Sequence, residues 1–133
     1  MKLGHGRVPR DEALAAVRGA NLAVVITSVS NEGSFAELGM IPAKVYEALG
    51  LHTPILLIGP SGSDAAGIIR ETRTGAVFSG SEPKEISKFL SKMIHGRIQF
   101  TESPKVQDWA WPRLICQLDS VLRGAIDRSS LMV

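Results

Sequence analysis

The chain has 133 residues, 44% hydrophobic and 21% charged, the size and balance of one core-forming domain, which excludes a disordered polar chain. Fifteen Lys and Arg against 13 Asp and Glu leave a net charge of +2, too small a surplus to wrap nucleic acid. Two Trp, one Tyr and four Phe leave little for a base-stacking platform, and a single cysteine, Cys116, has no partner for an intrachain disulfide, so a reducing, cytoplasmic setting is expected.

In chain order, Pro9 precedes a helix expected over 11–18, with Asp11 and Glu12 in its first turn and Arg18 near its end, charges that suit the helix dipole. Leu14 and Val17 give it an apolar face. Leu22-Ala23-Val24-Val25-Ile26 is a short apolar run rich in β-branched residues and reads as a buried parallel strand. Residues 28–39, with Asn31, Gly33 and Ser34, read as a long loop. Pro42 suits the first turn of a helix through Val45 and Leu49 that ends near Gly50. Pro54-Ile55-Leu56-Leu57-Ile58 is a second buried strand, closed by Gly59-Pro60.

Ser61-Gly62-Ser63-Asp64 offers capping chemistry for a helix carrying Ala65, Ile68 and Ile69, and Gly75–Phe78 is a third strand. Ile86, Phe89, Leu90, Met93 and Ile94 trace an amphipathic helix stopped by Gly96. A last helix, at about 110–126, places Leu114, Leu118, Val121, Leu122 and Ala125 on one face. Trp109 and Trp111 are expected to pack it. The apolar runs are far shorter than a membrane span of about 20 residues, and Met1–Arg7 is polar and glycine-rich, unlike a signal peptide. Strands alternating with helices imply an α/β fold, a parallel sheet flanked by helices. Its ligand loops would lie at the carboxyl ends of the strands and near Gly4–Pro9.

The stretch Gly39–Gly50 is richest in chemistry. The free amides of the helix start that follows Pro42 attract anions such as a diphosphate, and Lys44 adds a cation where the dipole disfavours one. Glu47 follows one turn later on the same face, where its carboxylate could accept from a ribose diol. The same spacing also fits a solvated Lys44–Glu47 pair. Ser61–Asp64 fits a phosphate contact or a plain cap. Lys84, Lys88 and Lys92 fit a solvated face or an anionic membrane surface. His5, His52 and His95 are scattered, no metal-ligand spacing occurs, and Cys116 has no neighbouring His.

Ile41-Pro42-Ala43-Lys44-Val45-Tyr46-Glu47-Ala48-Leu49-Gly50, continued by Leu51-His52-Thr53-Pro54-Ile55-Leu56, resembles the donor-binding signature of family 4 (group 1) glycosyltransferases. There it reads as a Pro-x-Lys-x-x-Glu-Ala helix followed by a Pro-Ile/Val strand. Gly6-Arg7-Val8-Pro9 through Ala20-Asn21-Leu22, Glu71-Thr72-Arg73-Thr74-Gly75, and Trp109–Ala125 resemble flanking units of the same family, in order. The resemblance covers nearly the whole chain. It implies a single partial domain over 1–133, Rossmann-like, from the C-terminal half of a GT-B enzyme.

Carried over residue by residue, the resemblance gives Glu47 the ribose hydroxyls of a nucleoside diphosphate sugar. Lys44 and the backbone at Ile41, Pro42 and Ala43 face the diphosphate, and Arg7 and Val8 lie beside the base. It implies retaining, metal-independent transfer without a cofactor, in polysaccharide or glycolipid synthesis. The N-terminal acceptor domain is missing, so the chain alone is expected to be inactive, as one part of a larger enzyme. The full enzyme would have room for peripheral membrane contact, and an exposed sheet edge would invite homo-oligomers. Many members carry two glutamates with seven residues between them. The first position falls here on Gly39, while Glu37 is near but out of register. Two other readings remain: an inactive nucleotide-binding or regulatory module that pairs with a separate subunit, and a nucleotide-sugar epimerase.

Overall fold

The computed structural model describes residues 6–29 and 34–130; Gly4, His5, Asn31 and Gly33, named above, lie outside the described residues. The chain divides into two compact units, Met1–Ser103 and Pro104–Val133.

The first unit is built on three parallel strands, β1 (Ala23–Ile26), β2 (Ile55–Ile58) and β3 (Gly75–Phe78), in the spatial order β1-β2-β3. Their register aligns Val24, Leu56 and Ala76 in one row and Val25, Leu57 and Val77 in the next. Helix α1 (Arg10–Gly19) precedes β1, α2 (Phe35–Gly39) and α3 (Ala43–Gly50) fill the first crossover, and α4 (Asp64–Thr72) fills the second. Helix α5 (Pro83–Ile94) follows β3. The result is an open α/β sheet with flanking helices, a partial Rossmann-like arrangement.

The core lies between β2 and the crossover helices. Ile55, Leu56 and Leu57 are buried together with Val45, Ala48 and Leu49 of α3 and Ala65, Ile68 and Ile69 of α4. On α5 only Phe89 is buried, with its ring 5.5 Å from Phe78 and 6.3 Å from Phe100, and Ile94 of the same apolar row is exposed. Phe78 stands in register with Ile58 and Ile26, so it and the two isoleucines share one face of the sheet.

That face is covered at β3 and bare at β1. Val24 and Ile26 are 53% and 60% exposed, and only Val25 of β1 is buried. The expectation of a fully buried first strand is therefore corrected. A continuous apolar run shows what a strand can bury, and this strand is an edge with a helix layer over one face only.

The amino ends of the strands are fastened by side-chain hydroxyls. Thr53 Oγ1 donates to Val17 O at 2.8 Å, joining the start of β2 to the end of α1. Thr72 Oγ1 donates to Ile68 O, and the Thr72 and Thr74 hydroxyls lie 2.8 Å apart, both buried. Between them Arg73 takes a left-handed conformation, φ 56°, that caps α4. The Glu71–Gly75 turn thus has a packing reason for each of its central residues. Among the described residues no buried side-chain nitrogen or oxygen lacks a partner.

In the second unit a 3-10 turn, Pro104–Trp109, leads into α6 (Trp111–Ser130). This helix begins where the sequence places it and runs longer. Its apolar residues Ile115, Leu118, Val121 and Leu122 are exposed, as is Trp111, which the sequence reading expected to be packed. No helix of the described residues is long and apolar enough to cross a membrane.

Candidate functional site

Crossover helices run back along their strands, so α3 and α4 begin at the carboxyl ends, where ligands of open parallel sheets bind. The helix starts there differ in how their amides are used. At α4, Ser63 Oγ accepts from Ala66 N–H at 3.3 Å, so this serine acts as a cap, and Arg70 Nη1 donates to Ser61 O at 2.6 Å to close the loop. At α2, Ser34 and Glu37 form a reciprocal capping box: Ser34 Oγ accepts from Glu37 N–H at 3.3 Å, and Glu37 Oε2 accepts from Ser34 N–H at 2.6 Å.

Helix α3 is different. Pro42 stands at its N-cap in extended conformation and no side chain caps the helix. Its first amides keep the capacity for an anion that the sequence suggests. Ile41 and Pro42 are half-buried, and Ala43 and Lys44 are exposed. Helix α1 has the same form, with Pro9 at its N-cap and no side-chain cap. Arg7 and Val8, just before it, are exposed, and Gly6 takes a positive φ of 68°.

Helices α1 and α3 meet. Arg10 Nη2, on the first residue of α1, donates to Glu47 Oε1 of α3 at 3.3 Å. The sequence reading brought Glu47 and Lys44 together and missed Arg10. A signal existed: a cation at the first helical position opposes the dipole, the same argument that marks Lys44. The partner, thirty-seven residues away, could not be read from spacing.

Glu37 has a defined local role. The Ser34 amide holds its carboxyl below the ordinary value, with help from the Ser34 and Ser28 hydroxyls. The expectation of a long loop over 28–39 is corrected: the stretch contains α2, started by that box. Gly39 ends α2 and has open space where a Cβ would stand.

The loops above the strands pass close to one another. A Cβ on Gly80, after β3, would strike the backbone of Val29, after β1. One on Gly59, after β2, would strike the Thr27 side chain. Around this edge Val29, Phe35 and Met40 are exposed apolar residues, Phe35 to 94%. Cys116 is exposed, and Lys88 pairs with Glu85 at 2.9 Å. Among the described residues no cluster of three His, Cys, Asp or Glu could hold a metal ion.

Fold and site together define a partial Rossmann-like α/β domain. Its loops at the carboxyl edge include the uncapped starts of α1, α3 and α5, with Arg7, Arg10 and Lys44 exposed near the first two and the Glu47 carboxylate beside them. Comparison with known protein families, curated proteins and solved structures found no match.

Proposed function

We propose that this chain is the donor-binding part of a retaining glycosyltransferase that takes a nucleoside diphosphate sugar for polysaccharide or glycolipid synthesis in the cytoplasm. The observation that carries this reading is the uncapped start of α3 at the carboxyl edge, with Lys44 in its first turn and Glu47 one turn on. In this reading the Glu47 carboxylate accepts from the ribose hydroxyls. Lys44 and the backbone at Ile41–Ala43, with N–H donors on Ile41 and Ala43, stabilise the charge that grows on the diphosphate as it leaves. Arg7 and Val8 border the base. No metal and no organic cofactor enter the reaction, and the acceptor wall belongs to a further domain.

Calorimetric titration of uridine and guanosine diphosphate against native and Glu47→Ala protein tests the reading. A lost charge-assisted hydrogen bond is expected to weaken binding by about tenfold or more. Equal affinities remove Glu47 from the site. Sugar transfer by the 133 residues alone would contradict the division of labour.

One observation favours a second reading, an inactive nucleotide-binding module that pairs with a separate subunit: the bare face and free edge of β1 at Val24 and Ile26. A stable complex with such a subunit, without transfer activity, selects it.

A further inference from the structure

We propose that Arg10 is the positioning residue for Glu47, and that it sets how strongly the chain prefers a nucleotide with an intact ribose diol. The inference rests on the nucleotide-binding reading above and adds a residue to it.

Arg10 stands where the helix dipole disfavours a cation, at the first residue of α1. Asp11 and Glu12 follow it directly, but neighbours one and two positions along a helix do not face each other. Its recorded partner is Glu47 Oε1, at 3.3 Å.

An ion pair this exposed, with 75% of the arginine side chain and 35% of the glutamate open to solvent, adds little to folding. Its effect falls on geometry instead. A half-exposed glutamate samples several rotamers, and each one not suited to ligand is paid for on binding. Helices α1 and α3 touch, and Thr53 Oγ1 ties the end of α1 to the start of β2. Arg10 is thereby delivered from a fixed support and holds one carboxylate oxygen. The contact is to Oε1 alone, and a carboxylate has lone pairs for further donors on both oxygens. Glu47 is held while it remains able to accept from hydroxyls.

The test uses the full chain, with uridine and guanosine diphosphate and their 2′-deoxy counterparts as probes. The native protein is expected to bind the ribonucleotide about tenfold more tightly than the deoxy form. Arg10→Ala is expected to bring that ratio close to one with an unchanged unfolding midpoint. Arg10→Lys, which can still reach one oxygen, is expected to recover part of the ratio. A ratio in Arg10→Ala equal to the native one overturns the role of Arg10 alone. So does a loss that Arg10→Lys fails to reverse, or one that comes with a lowered midpoint. Native protein that binds neither diphosphate overturns the nucleotide reading and the role of Arg10 with it.

Discussion

Single residues at the carboxyl edge fix how closely the loops approach. A methyl group on Gly80 would meet backbone atoms of Val29, and backbone cannot swing aside as a long side chain can. Gly80→Ala is therefore expected to cost about 1–3 kcal/mol, the usual range for forced overpacking. Urea denaturation reads it directly, and a loss below about 0.5 kcal/mol, the size of an ordinary surface change, would show that the crossing has slack. At this scale the sequence was legible where a residue's meaning is local. Lys44 and Glu47 share a helix, and Ser63 caps the helix that follows it. It was silent where meaning depends on a partner brought in by the fold, as with Arg10 and Glu47, or Val29 and Gly80.

Among the elements, α2 departs most from the sequence reading, though its cause was in plain view. Ser34-Phe35-Ala36-Glu37 is a capping box, hidden by a polar, glycine-containing context that suggested only loop. The box also makes α2 sensitive to acid. Folding lowers the Glu37 pKa from its ordinary 4.5. The stabilisation is therefore present above that value and is lost as pH falls through the lower, folded-state value. NMR shifts of Phe35–Gly39 are expected to lose helical character over that acid range. Glu37→Gln is expected to abolish the pH dependence; persistence of it would assign the transition to another group. Strand β1 departs for another reason. Its residues were recognised correctly as a parallel strand, but hydrophobicity cannot report whether a second layer exists to cover it.

For the molecule as a whole, strand count, order of elements and the flanking helices followed from the alternation of apolar periods, because each period is a local property. The arrangement of uncovered surfaces did not. Ala23 N–H donates to Pro54 O and Thr27 N–H to Ile58 O. The alternation of a strand then turns the amides of Val24 and Ile26 outward, where no strand of the described residues pairs with them. An open edge with apolar side chains invites association. Sedimentation of the isolated chain is expected to show concentration-dependent oligomers that Ile26→Lys suppresses. A monomer at every concentration would remove this edge as a pairing surface.

The strand order has a further consequence, in time rather than in space. Because β1, β2 and β3 lie side by side in the order in which they occur along the chain, each pairing joins segments separated by one crossover. Pairing sequence neighbours keeps the separation between contacts smaller than a strand order with skipped neighbours would, within a parallel sheet whose long-range pairing is itself slow to form. The contiguous segment from α3 through β2 to α4 holds most of the buried core, so it forms a natural nucleus onto which β1 and β3 can zip from either side.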